Sequence, residues 1–252
     1  MISLFRKKTS GSKRLAGRVA LVTGASRGIG AAVAKAFAKE GAHVILLART
    51  IGGLEEVDDA IQAEGGKATL LPLDLTNAEQ IAAIGPTIAE RFKRLDILVA
   101  NAGILGTLSP VAMSDPKVWK EVMDINLFSN YHLIRTLDPL LRGSDAGRAI
   151  FVTSGASRKR KPFWGAYAAS KAALEEMVAT YAAEVAYSHL KVNILDPGRV
   201  RTAMRAEAVP GEDPLTLPTP DSITERFIEL ASPQFLETGK IIAAKTGKII
   251  AA

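Results

Sequence analysis

From Arg18 onward the chain alternates between short runs that are apolar at nearly every position and longer stretches with an apolar residue every third or fourth place. RVALVT (18–23), HVILLA (43–48), KATLLPLDL (67–75), LDILVANAG (95–103), RAIFVTS (148–154), KVNILD (191–196) and GKIIAA (239–244) are the short runs and predict strands. AAVAKAFAKEG (31–41) and LEEVDDAIQAEGG (54–66) keep the helical period and end at glycine, as helices do. Further helical patterns cover 77–92, 117–141, 166–188 and 221–231. Strands apolar throughout, without alternation, are buried on both faces. Strand–helix alternation of this kind predicts an α/β fold: a doubly wound, seven-stranded parallel sheet with helices on both faces and right-handed crossovers. The Pro- and Gly-containing segment 209–220 lies within the alternation, so 15–244 reads as one domain.

The two ends depart from this pattern. Residues 1–14 hold Arg6, Lys7, Lys8, Lys13 and Arg14 and no acid, so they carry five of the six net positive charges and read as a disordered basic arm. The body is then almost neutral, which argues against a nucleic-acid surface. At the other end TGKIIAA occurs twice, at 238–244 and 246–252. The first copy fits the last strand. The second, in the extension 245–252, is open between a tail and an added edge strand. With no cysteine, a disulfide framework, a thiolate metal site and a cysteine nucleophile are excluded. Three scattered histidines make a metal site a poor expectation, and no apolar run reaches the ~18 residues of a membrane span.

The first strand runs into TGASRGIG (23–30), with Gly24, Gly28 and Gly30 spaced G-x-x-x-G-x-G. This is a variant of the dinucleotide fingerprint G-x-G-x-x-G, and the physics carries over. Gly24 allows a tight turn, Gly28 lets backbone approach a pyrophosphate, and Gly30 lets helix pack on sheet. A helix starting near Ile29 aims amides at phosphate, with Ser26 and Arg27 in the loop. The second strand ends in LLART, with no acid to take a ribose 2′-hydroxyl. Arg49, helped by Arg27, is placed for a 2′-phosphate, so the expected cofactor is NADP(H) rather than NAD(H).

The stretch SGASRKRKPFWGAYAASK (154–171) holds Ser154 at a strand end and Tyr167 and Lys171 four apart on one helix face. The parallel sheet brings strand ends to one ligand-binding crevice, and Asn101-Ala102-Gly103 ends another strand at the same rim. A cation one turn from a tyrosine is expected to lower its pKa from ~10. Phe163 and Trp164 are expected to wall a substrate pocket. The run Arg158–Lys161 is open between drawing in an acidic or carrier-bound substrate and being solvated charge.

TGASRGIG (23–30), LDLT (73–76), ANAG (100–103), Asn126 in DINL, Ser154, YAASK (167–171) and PGRVRT (197–202), in this order, resemble the short-chain dehydrogenase/reductase family over about residues 16–244. Their flavour is that of bacterial members similar to β-ketoacyl carrier-protein reductases. The resemblance implies a Rossmann fold and an oxidoreductase interconverting a ketone or aldehyde and an alcohol. It implies Tyr167 as general acid and base, Lys171 on the nicotinamide ribose, Ser154 on the substrate oxygen, and Asn126 ordering a water. Asp74, Leu75 and Asn101–Gly103 would shape the adenine side, and Pro197, Gly198, Val200 and Thr202 the nicotinamide side. Asn126 alone also suits a locally bonded helix position, and Asp74 a helix cap. The family further implies a lid after PGRVRT and a homodimer or homotetramer through the helices 117–141 and 166–188. The expectation is a cytoplasmic enzyme with a small-molecule substrate and neither nucleic acid nor integral membrane association. The alternative is a redox-sensing or scaffold protein of the same fold without catalysis; an intact Ser154, Tyr167 and Lys171 weighs against it.

Overall fold

The computed structural model describes residues 13–250. Most of the arm 1–14 and the last two residues therefore lie outside the described residues. Where description begins, Arg14 is already part of the body: its guanidinium bonds Glu40 and Glu225. The folded domain thus reaches at least one residue further back than the composition break implied.

The strands are β1 (Val19–Thr23), β2 (His43–Ala48), β3 (Lys67–Pro72), β4 (Ile97–Ala100), β5 (Arg148–Val152), β6 (Lys191–Asp196), β7 (Ile241–Ala243) and β8 (Ile249–Ile250). They form one sheet in the order β3-β2-β1-β4-β5-β6-β7-β8. All pairs are parallel except β7 with β8. The helices are α1 (Gly28–Lys39), α2 (Ile51–Ala63), α3 (Ala78–Phe92), α4 (Pro116–Met123), α5 (Ser129–Gly143), α6 (Ala156–Lys159), α7 (Gly165–Glu184), α8 (Ala203–Ala208) and α9 (Thr224–Ala231). Among the described residues no helix is long and apolar enough to cross a membrane.

Every residue of β1, β4 and β5 is buried. Successive strand side chains serve opposite faces, so Val22, Val99 and Ile150 pack in one cluster and Leu21, Leu98 and Phe151 in the other. The sheet has eight strands rather than the seven expected, because the second TGKIIAA turns back on the first. Ile241 faces Ile250 and Ile242 faces Ile249 across a hairpin whose turn uses Gly247 at φ 69°. A parallel pairing needs a crossover of a dozen or more residues, which a spacer this short cannot supply.

The predicted helix 117–141 is interrupted by a π turn over Asp124–Phe128. Ser129 and Asn130 bond back to the carbonyls of Ile125 and Asn126. Such back-bonding and the wider π turn mark irregular helix and often a functional position.

At the opposite end of the strands from the site, the carboxylate of Asp96 is fully buried. It accepts from the Val19 N–H, Ser144 Oγ and the guanidinium of Arg94, with Arg18 at 3.3 Å. Burial alone would raise this carboxyl, but its donors outweigh that and hold it below the usual carboxylate value.

Candidate active site

The order of strands reverses at β1 and β4, and a crevice opens there beyond their carboxyl ends. It is a cavity of about 650 Å³. Asn101 ties the two strand ends together: its amide and that of Ala102 both donate to Thr23 Oγ1 at 3.0 Å, and its Nδ2 donates to the Thr23 carbonyl.

The glycine turn forms one end of the cavity. Gly24 and Gly28 have φ of 65° and 58°, which side-chain-bearing residues rarely adopt. A Cβ on Gly30 would sit 2.2 Å from the Gly24 carbonyl oxygen, so this glycine is what lets α1 begin against the turn. No side chain caps α1 and no acid lies in its first turn, which leaves amides and positive dipole to an anion. Ser26, Arg27, Gly28, Ile29 and Arg49 line the cavity, and neither arginine is ion-paired among the described residues. Glu56 lines the same end and was not singled out from the sequence. Asp74 and Leu75 also reach the cavity. Asp74 does not cap α3; Asn77 does, accepting from the Gln80 N–H at 3.0 Å. Asp74 instead accepts from the Thr76 N–H and hydroxyl, and its carboxyl is held below the usual range by that N–H, then the hydroxyl and the charge of Arg49.

The other end holds Ser154 just beyond β5, Trp164 at the start of α7 and Tyr167 and Lys171 within it, with Pro197, Gly198, Val200 and Thr202 beyond β6. Three hydroxyls cluster at the end of β5, and their partners distinguish them. Thr153 and Ser157 both bond the carboxylate of Glu175. Ser154 Oγ accepts from the Ala156 N–H and is the hydroxyl directed at Tyr167 rather than at Glu175. Tyr167 and Lys171 are 8% and 4% exposed. Lys171 Nζ donates to the Val152 carbonyl at 2.9 Å and lies 6.0 Å from the Tyr167 ring centre.

The sequence expectation of a lowered tyrosine pKa is corrected here. Burial pushes the Tyr167 hydroxyl up, with the charge of Asp196 adding to it and the Ser154 hydroxyl opposing it. Burial also pulls Lys171 down, to about 8, against the charge of Glu175.

Asn126 does not line the cavity. Its side chain exchanges hydrogen bonds with the Ile104 backbone and donates to Ser170 Oγ, so it braces the loop after β4 against α7 from within the π turn. Its side chain thus makes long-range contacts rather than the local back-bond expected of a helix interior; only its backbone carbonyl is bonded locally, by Asn130.

Phe163 is corrected as well. It is 56% exposed, outside the cavity lining, and takes φ 74°. Its backbone carbonyl accepts from the Ser109 N–H. Only Trp164 of the aromatic pair faces inward, edge-on to Tyr167 with ring centres 5.9 Å apart. The basic run divides too. Arg158 is ion-paired with Glu175 and Asp196. Lys161 lies over the Trp164 ring, and Lys159 and Arg160 are exposed.

Beside Tyr167 the wall is apolar: Leu105 and Ala156 are buried with it, and Leu108, Trp164, Met204 and Ala208 pack against them. Met204, Arg205 and Ala208 come from α8, which was expected as open loop. Thr202 Oγ1 caps α8 by accepting from the Arg205 N–H at 3.2 Å. Arg205 is held by Glu212, whose carboxyl this pairing keeps below its usual value. A threonine cap before AMRAEA was a readable signal; the Arg205–Glu212 pairing had none.

A glycine turn at the strand reversal and a Ser–Tyr–Lys set at the same rim define a dinucleotide-dependent dehydrogenase. The chain belongs to the short chain dehydrogenase family, whose model matches residues 18–213. It is 42% identical over 216 residues to the oxidoreductase YciK of Escherichia coli K12, covering 84% of this chain and 85% of that protein. It is 34% identical over 234 residues to the (S)-benzoin-forming benzil reductase IRC24 of Saccharomyces cerevisiae, covering 90% and 88%. A short chain dehydrogenase from Shigella flexneri solved with NADP superposes with a TM-score of 0.90 at 40% identity, covering 93% of this chain and all of that one. Another, from Escherichia coli CFT073 with NADPH, gives 0.89 at 39% identity, covering 93% and 99%.

Proposed function

We propose that this chain transfers hydride between NADP(H) and a carbonyl–alcohol pair, with Tyr167 as acid in reduction and base in oxidation. The observation that carries this is one cavity lined by two unpaired arginines at one end and by Ser154, Tyr167 and Lys171 at the other. The nicotinamide cofactor, when bound, supplies the hydride. The turn at Gly24–Gly28 and the first amides of α1 hold its diphosphate, and Arg27 and Arg49 its 2′-phosphate. Asp74, Leu75 and Asn101–Gly103 bound the adenine side. Lys171 holds ribose hydroxyls, and Pro197, Gly198, Val200 and Thr202 orient the carboxamide. Ser154 donates to the substrate oxygen as charge grows on it. Tyr167, kept protonated by burial, gives that oxygen its proton, and the Lys171 ammonium stabilises the phenolate left behind.

Charge-assisted hydrogen bonds to arginine contribute about 1.5–3 kcal/mol. Arg49→Ala is therefore expected to cut kcat/KM for NADPH roughly ten- to hundredfold and leave NADH little changed. A wild-type preference for NADH would overturn the cofactor assignment.

The apolar wall beside Tyr167 supports a carbonyl with uncharged, apolar substituents: of the cations around it Arg158 and Arg205 are paired, Lys171 bonds the Val152 carbonyl, and Lys161 lies exposed over the Trp164 ring. A panel of aryl and alkyl ketones and matched keto acids, followed by NADPH absorbance, tests this. Uncharged ketones should be turned over best, and kcat/KM for reduction should fall as pH rises through about 8, where Lys171 loses its proton. Turnover of keto acids alone would reverse the substrate assignment, and no turnover of any carbonyl would end the enzymatic one.

The homo-oligomer expected from the long helices is carried by Phe128 and Tyr131, which lie 47% and 43% exposed at the π turn and on α5. Light scattering on the purified protein decides it.

A further inference from the structure

We propose that Glu175, clamped by Arg158, is a positioning residue for the Ser154–Tyr167–Lys171 set, holding the serine's flanks and setting a carboxylate one helical turn beyond the lysine. The proposal rests on the oxidoreductase assignment above and goes beyond it, because neither Glu175 nor Arg158 itself lines the cavity; both act from behind its wall.

Three segments that must agree for the reaction are joined at this one cluster. Just after β5 comes Thr153, and from α6 Ser157, on either side of Ser154, both bonded to Glu175 Oε1, the serine at 2.7 Å. The Ser157 hydroxyl also lies 2.7 Å from the Ser154 carbonyl oxygen. From α6 comes Arg158, one guanidinium nitrogen on Glu175 and the other on Asp196. From the end of β6 comes Asp196, whose other oxygen accepts from the Gly198 N–H at 2.9 Å. The Arg158 fork therefore links helix α7, which carries Tyr167 and Lys171, to the loop Pro197–Gly198.

The cluster is largely removed from solvent, with side-chain exposures of 25% for Arg158, 13% for Glu175 and 11% for Asp196. Burying three charges costs desolvation that apolar side chains of similar size would avoid, so stability alone is a poor reason for them. What charges provide and apolar contacts do not is direction and field. Glu175 follows Lys171 by four residues on α7, the spacing at which helical side chains are neighbours. The ionisable groups around Lys171 are Tyr167 and Glu175 from its own helix, Arg158 from α6 and Asp196 from β6. The π turn contributes only the neutral Asn126. Glu175 is the one whose charge sustains the ammonium.

Two variants separate this role from simple scaffolding. Glu175→Gln keeps the shape and removes the charge. Arg158→Met removes the clamp and leaves Glu175 uncompensated. The Lys171 titration midpoint can be read by NMR of protein carrying 13C-labelled lysine, assigned with Lys171→Arg, in parallel with kcat and KM for carbonyl reduction and with Tm. In Glu175→Gln the midpoint should move about one unit toward acid, since removing an opposite charge at this range disfavours the charged amine. In Arg158→Met it should move the other way. In both, kcat should fall roughly ten- to hundredfold as the serine and tyrosine lose alignment, with the KM for NADPH nearly unchanged. A Lys171 midpoint unmoved in both variants overturns the proposal, whatever happens to Tm. Opposite shifts in a protein that turns over no carbonyl would uphold the positioning of the lysine and discard the oxidoreductase assignment instead.

Discussion

Tyr167→Phe is expected to lower kcat for carbonyl reduction by about 10²–10⁴-fold, the usual share of a positioned general acid. The phenol ring is buried against Trp164, Leu105 and Ala156, and phenylalanine keeps that packing. What is lost is the one proton that can follow the hydride onto the substrate oxygen. Ser154 does not replace it, because a serine hydroxyl donates a hydrogen bond without giving up its proton near neutral pH. Lys171 does not either, since its ammonium is turned to the Val152 carbonyl. NADPH affinity, measured by fluorescence titration, should stay near wild type, because the diphosphate turn and both arginines are untouched. A kcat close to wild type would remove Tyr167 from the proton path.

The second large effect lies at the far end of the sheet. Asp96→Ala is expected to destabilise the fold by about 3–5 kcal/mol, the cost of breaking a buried charged network by removing one partner. The change leaves Arg18 and Arg94 with only the exposed Asp145 as partner and the Val19 N–H and Ser144 hydroxyl without their buried acceptor. Tm should fall by roughly 6–20 °C for a chain of this size. The sign with pH follows from the carboxyl being held low. Its contribution is present above the ordinary carboxylate value of ~4 and disappears as pH drops through the lower folded value, so wild type and variant should converge in acid. An unchanged Tm at neutral pH would show that the network contributes nothing net.

Most of the fold was legible because strands buried on both faces have an unbroken apolar signature. β2 and β6 match the expected limits residue for residue, and β1 misses by one. The π turn was hidden because its residues, DINLF, keep a helical apolar spacing while the hydrogen-bond pattern changes beneath them. The glycine loop was legible because its turn and close approach restrict it to glycine, whereas Ser154, Tyr167 and Lys171 were singled out through the family resemblance, and the structure brings them to one cavity. The direction of the Tyr167 shift was not, because it depends on how far burial outweighs a neighbouring charge, and burial belongs to the folded molecule. Phe163 failed for a related reason: one residue from Trp164, it sits on the other side of a tight turn with positive φ. Arg158 and its neighbours look alike as letters, and only the acids folded against them, Glu175 and Asp196, separate the paired arginine from the free lysines.

The repeated TGKIIAA gives the sheet two interchangeable candidates for one place. Joining Glu237 directly to Thr246 would regenerate ETGKIIAA, with a threonine again placed to meet the Val192 N–H and isoleucines again beside Ile194 and Leu195. Only the first copy pairs with β6, so loss of one copy would still leave a TGKIIAA segment to complete the parallel layer beside Asp196.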